Sequence, residues 1–242
     1  MIHALRRFAA ALSVTLTSLG AALAQPATGQ AQPIAPRIEW NEIAWSGGAL
    51  DVALVRPSAG TVGPHPVVFA LPWGGGTADL VETFVRSYWL TEPSARGYYV
   101  VSPEVRGSTL AHTAAEIIPA IFAWMDQELD YDEGRVALVG ASNGGSGAFF
   151  AALSQPQRFH ALMALPGQYG GDATDLAVLA GKPIYFLVGQ RDEAWGQMTD
   201  RTRAALESQG IASALWVAPG QGHVLRLDPR GLLDWIDRSL NR

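Results

Sequence analysis

No cysteine occurs in this 242-residue chain. Disulfides and thiolate metal sites are thereby excluded, and an oxidising compartment carries no risk of mispairing. Lysine is nearly absent: Lys182 is the single example. The formal net charge is −5. An acidic chain this poor in lysine lacks the basic footprint of a nucleic-acid binder. Beyond the first two dozen residues no apolar run is long enough to span a membrane. No repeat, low-complexity block or internal linker interrupts the pattern either. What is abundant is apolar side chain, 48% of the residues, which fits a buried core and not disorder.

The beginning of the chain reads as a leader. Arg6 and Arg7 form a basic start, an apolar stretch over 8–23 is broken only by Ser, Thr and Gly, and Ala22-Leu23-Ala24 puts small residues where a signal peptidase reads them. Residues 1–24 are therefore expected to be a signal peptide cut after Ala24, giving a secreted or periplasmic protein. The apolar core is too short and too rich in Ala, Ser and Thr for an uncleaved anchor, so no membrane association is expected after cleavage. Removing the leader leaves 218 residues, and the net charge moves from −5 to −7 because the leader holds two arginines and no acid. That length suits one domain with a full core. Residues 25–36, with Pro26, Pro33 and Pro36, read as a disordered lead-in, and 37–242 as the folded domain.

Two strand-like runs, 37–44 and 50–56, flank Ser46-Gly47-Gly48 and predict a hairpin. Thereafter strands (66–71, 98–102, 135–139, 160–165, 184–188, 214–217) alternate with helices (77–90, 113–129, 142–153, 196–209, 229–240). Apolar strands alternating with helices predict an α/β fold: a mainly parallel sheet covered by helices on both faces, with an antiparallel N-terminal hairpin. Ligands of such sheets bind at the carboxyl ends of the strands.

At one such end stands Arg135-Val136-Ala137-Leu138-Val139-Gly140-Ala141-Ser142-Asn143-Gly144-Gly145. With 26 glycines in the chain, Gly-x-Ser-x-Gly alone is a weak signal. A strand before it and a helix after it make it a candidate nucleophile elbow, with Ser142 at the sharp turn and the unpaired amides of a helix N-terminus beside it. Ser146 lies one helical turn further on and is a poor rival.

A serine nucleophile needs a base and the base needs an orienting acid. Among the histidines, His3 is in the leader, His65 precedes a strand, His112 opens a helix and His160 opens an apolar strand. His223 follows a strand through the flexible loop Pro219-Gly220-Gln221-Gly222 and is the candidate base. Asp192, just past the strand 184–188, is the candidate acid, with Glu193 its nearest rival and Asp172 and Asp175 alternatives from the preceding loop. Oxyanion donors are expected from the amide of Asn143 and from Gly74 or Gly75 in Leu71-Pro72-Trp73-Gly74-Gly75-Gly76, where a glycine run lets bare amides approach a developing charge.

The order Ser142, Asp192, His223 along alternating strands and helices resembles the α/β-hydrolase family. Within it the chain is similar to the secreted single-domain esterases grouped with polyhydroxybutyrate depolymerases, feruloyl esterases and dienelactone hydrolases. Tyr131-Asp132 leading into the elbow, Gly189-Gln190-Arg191-Asp192 and Gly222-His223 carry the likeness. It implies the α/β-hydrolase fold over about residues 50–240. One departure stands out: relatives of the esterase type often have His-Gly-Gly in the oxyanion loop, and here Trp73 takes the place of that histidine. The short segment between residues 165 and 184 leaves no room for a large lid.

The expected activity is hydrolysis of small-molecule or polymeric carboxylic esters through an acyl-enzyme, with no metal or cofactor required. Trp73, Tyr169 and Trp195 flank the predicted loops and are candidate substrate contacts, with packing at the core or rim the competing role for each. A serine peptidase on the same fold is the alternative enzyme, but it would bring a propeller or cap that 218 residues cannot hold. A non-catalytic binding protein retaining the scaffold would be expected to lack Ser, Asp or His, and all three are present.

Overall fold

The structure is a computed structural model in which residues 35–105 and 110–241 are described. The signal-peptide reading of 1–24, and the lead-in reading up to residue 34, lie outside the described residues.

Eight strands form one sheet in the order β1-β2-β4-β3-β5-β6-β7-β8. β1 (Glu39–Trp45) and β2 (Gly48–Val55) make the antiparallel hairpin, and β2 also runs antiparallel to β4 (Tyr99–Pro103). From β4 onward β3 (His65–Leu71), β5 (Tyr131–Gly140), β6 (Ala161–Ala164), β7 (Ile184–Gly189) and β8 (Ala214–Ala218) are all parallel. Six α-helices are described: α1 (Ala78–Phe84), α2 (Thr91–Ala95), α3 (Ala114–Glu128), α4 (Asn143–Ser154), α5 (Glu193–Ser208) and α6 (Pro229–Leu240).

The continuous apolar runs in the central strands are explained by burial on both faces. In β3, Val67, Phe69 and Leu71 enter the core under α3 and α4, while Val68 and Ala70 enter the core under α1 and α6. β5 divides in the same way, with Val136 and Leu138 on the first face and Ala137 and Val139 on the second. Because successive side chains alternate, neither face tolerates a polar substitution in these strands.

Three departures from the sequence expectations have local causes. β5 begins at Tyr131, not at residue 135, because Tyr131 pairs with His65 across a register shift and its hydroxyl is held by Asp126. The helix expected over 77–90 is interrupted: α1 ends at Phe84 and a single π-helical turn, Val85–Trp89, follows. A 3-10 helix, Ala173–Leu179, occupies the segment between β6 and β7, capped by the Asp172 side chain and buried through Leu176 and Leu179. α2 and α6 are joined by Arg96, which reaches Glu92 at 2.8 Å, Asp234 at 2.6 Å and Asp237 at 2.8 Å.

Candidate active site

β5 enters the elbow at Gly140 and α4 leaves it at Asn143. Between them Ser142 sits at φ 56°, ψ −117°, a backbone state that L-residues rarely hold. The turn is held by Ser142 N–H donating to Pro166 O (2.8 Å) and Ser146 N–H donating to Ser142 O (2.9 Å). Glycine is required on both sides. A Cβ on Gly140 would lie 2.2 Å from Gly144 O, and one on Gly144 would lie 2.2 Å from Leu71 O. Strand and helix therefore meet at a distance that no side chain permits.

The Ser142 hydroxyl lies 2.8 Å from His223 Nε2, and His223 Nδ1 lies 2.6 Å from Asp192 Oδ2. A carboxylate only accepts, so Nδ1–H donates to Asp192 and Nε2 is left to accept from Ser142. The Asp192 side chain is sheltered, 11% exposed, while that of His223 is 39% exposed. The shelter strengthens the ion-dipole contact behind the ring, and the open side gives solvent access to the ring itself.

Asp192 stands at the N-cap of α5, where an aspartate side chain ordinarily accepts from the helix amides. Here it caps nothing and is spent on His223. The loop that carries His223 is braced against the end of β7. Arg191 N–H donates to Gln221 O (2.8 Å) and Gly220 N–H donates to Gln190 Oε1 (2.8 Å). Gln221 also holds both polar groups of the Arg226 backbone. Gly189 makes this approach close: a Cβ there would be 2.1 Å from Gly222 O.

The glycine loop after β3 turns through left-handed residues at Gly74 (φ 68°) and Gly76 (φ 61°), which glycine adopts without strain. The Asn143 side-chain amide donates to Gly74 O at 3.0 Å and ties this loop to the start of α4. The amide of Asn143, first in the helix, has no acceptor within it by position. Gly74, Gly75 and Asn143 thus lie together beside Ser142.

Of the three aromatic candidates, Trp195 packs over the site, its ring centroid 5.3 Å from that of His223. Trp73 packs edge to face on Phe84 and Tyr88. Tyr169 lies against Phe149 and Phe150 and donates its hydroxyl to Asp175 Oδ2 at 2.5 Å. The rival acids are engaged elsewhere: Asp175 with Tyr169, Asp172 with Thr174, while Glu193 is exposed at the start of α5. Among the other described histidines, His65 Nδ1 contacts Gly97 O at 2.8 Å and His112 is exposed. His160 is half-buried away from the elbow, and burial lowers its pKa. Sequence reasoning missed Gln190, Gln221 and the Asn143 side chain as braces: Gln190 and Asn143 act on backbone 30 and 69 positions away, and Gln221 closes a short loop on Arg226 that has no regular pattern to read.

The esterase family model matches residues 91–224, more than half of the chain and the whole span from Ser142 to His223. The chain belongs to this esterase family. No curated protein matches it. Among solved structures it is similar to the CE1 ferulic acid esterase of the anaerobic fungus Anaeromyces mucronatus (TM-score 0.68, 15% identity, 88% of this chain and 94% of that one). It is also similar to an S-formylglutathione hydrolase from Agrobacterium tumefaciens (TM-score 0.64, 17% identity, 86% and 99%). A third is the acylaminoacyl peptidase of Pyrococcus horikoshii (TM-score 0.64, 15% identity, 87% and 43%). The chain spans 42% to 62% of the lengths of two acylaminoacyl peptidase structures and a thermostable esterase that it also matches. At these identities the likeness establishes the fold, which is that of the α/β-hydrolases.

Proposed function

We propose that this esterase-family member is a secreted serine hydrolase that cleaves carboxylic esters through an acyl-enzyme, with Ser142 as nucleophile, His223 as base and Asp192 as the orienting acid. The observation that carries the reading is the hydrogen-bonded chain Ser142–His223–Asp192 at a strained elbow. Ser142 Oγ attacks the ester carbonyl carbon as its proton passes to His223 Nε2. The oxyanion that forms is met by the amide of Asn143 and by that of Gly74 or Gly75, and each such donor is worth about a hundredfold or more in rate. The bond to the alcohol oxygen breaks as His223 returns the proton to it. Water, giving its proton to His223, then attacks the acyl carbonyl carbon, and the bond to Ser142 Oγ breaks as His223 returns that proton to Oγ, releasing the acid. Secretion rests on the leader at 1–24 and is in keeping with a chain free of cysteine. Trp195, over the imidazole, is the aromatic side chain best placed to meet a substrate.

The test is a stoichiometric one. Mature protein mixed with p-nitrophenyl acetate should release a burst of p-nitrophenol approaching one equivalent. An organophosphate should add one label, mapping by mass spectrometry to Ser142. Absence of both refutes the reading in favour of a binding protein on the same scaffold.

The close approach at Gly189 yields a further expectation. Gly189→Ala should push Gly222, and His223 with it, away from Ser142, costing about 10²-fold in kcat, the scale expected of a 1 Å misplacement. Gly231→Ala in α6, where a Cβ meets nothing, should leave kcat unchanged. Parallel kinetics on the two variants, with melting curves, provide the check.

A further inference from the structure

A π-helical turn, Val85–Trp89, follows α1 and buries Val85, Tyr88 and Trp89. A π-turn widens the helix by one residue and re-aims the side chains that follow. Here it sets Tyr88, whose side chain is buried. The Tyr88 hydroxyl donates to the carbonyl of Leu225, two residues beyond His223. The Tyr88 ring meets Trp73 edge to face at 6.0 Å, and Phe84, which touches both rings, completes the cluster. One side chain thus touches both loops that flank Ser142: the loop of Gly74 and Gly75, and the loop of His223. The Gln190 and Gln221 contacts hold the residues just before His223 to the end of β7 and span across to Arg226, whereas the grip at Leu225 comes from the π-turn after α1.

We propose that Tyr88 is a positioning residue for the ester hydrolysis proposed above, on which this inference rests, clamping the His223 loop to the glycine loop so that base and oxyanion donors are held together around Ser142. A phenylalanine would fill the same apolar space. The hydroxyl adds one bond that crosses to the loop of the base, and a buried hydroxyl without that acceptor is costly. Burial also raises the Tyr88 pKa, which keeps the phenol a donor at neutral pH.

Tyr88→Phe is the deciding variant. It should lower kcat about tenfold with KM within about twofold, between the fivefold of a lost neutral hydrogen bond and the hundredfold of a misplaced group. The rate of organophosphate labelling at Ser142 should fall by the same factor. In 15N NMR the Nδ1–H tautomer of His223 should lose population, and amide hydrogens at 224–226 should exchange faster. Tyr185→Phe, which removes the hydroxyl of a partly buried tyrosine packed on Trp235, should change none of these. Trp73→Leu, which keeps the hydroxyl and removes the ring contact, should slow labelling without altering the exchange at 224–226. If Tyr88→Phe keeps wild-type kcat, labelling rate, tautomer and exchange, the clamp is refuted, even with a lowered melting temperature. A wild-type protein that neither hydrolyses esters nor takes the label refutes the serine-hydrolase reading instead, and the tautomer and exchange readouts still decide whether Tyr88 holds the loop.

Discussion

Ser142→Ala should reduce ester hydrolysis by about 10⁶-fold, the scale seen when a triad serine is removed from a serine protease, and should abolish labelling. The fold should survive. Alanine keeps the Cβ, so the strain at φ 56° is the same as in the native chain. What is lost is the hydroxyl and its bond to His223, whose side chain is open enough to water to bond there instead. The stability change should therefore be within about 1 kcal/mol. Ser142→Gly adds a second reading of the same turn. Glycine holds positive φ without strain, and backbone strain of this kind costs on the order of 1–3 kcal/mol. The glycine variant should thus be as inactive as the alanine variant and at least as stable. Kinetics with p-nitrophenyl acetate beside melting curves of the three proteins supply the check. An active alanine variant would mean that another group is the nucleophile.

Much of the architecture was readable from local pattern. β3 and the 136–139 half of β5 are short apolar runs because both of their faces are buried, and the alternation with helices specifies parallel pairing. The elbow was equally legible, since its glycines report a close approach of backbones that nothing larger allows. What escaped was information carried at long range or in too few residues. α2 is five residues long and contains Pro93, so it offers no periodicity to read. The break between α1 and the π-turn keeps the apolar pattern of a continuous helix. Tyr88 is 137 positions from Leu225, and a tyrosine in a helix-like stretch gives no sign of its acceptor. Asp192 is the intermediate case. Its place past the end of β7 made it the candidate over three other carboxylates, while its contact with His223 Nδ1 depends on side-chain directions that the sequence does not carry.

That choice gives the second large effect. Asp192→Asn should lower kcat about 10⁴-fold, as the equivalent change does in a serine protease. The amide can present N–H to His223 Nδ1, which then becomes the acceptor and shifts the proton to Nε2. A protonated Nε2 cannot take the proton of Ser142. The shape of the loop should be unchanged, because the native Asp192 side chain caps no helix amide and the backbone bonds Asp192 N–H to Gly189 O and Gly196 N–H to Asp192 O do not involve it. Glu193→Gln should alter kcat by less than about twofold. Glu193 is exposed in the first turn of α5, where loss of its charge near the helix N-terminus costs about 0.3–1 kcal/mol of stability and no chemistry. Asp172→Asn should loosen the cap of the 3-10 helix, and Asp175→Asn should weaken the hold on Tyr169, both read in melting temperature and not in kcat. The four variants measured side by side separate the roles. Greater damage from Glu193→Gln, Asp172→Asn or Asp175→Asn than from Asp192→Asn would transfer the acid to that residue, and it would require the His223 ring to turn away from the 2.6 Å contact it makes with Asp192.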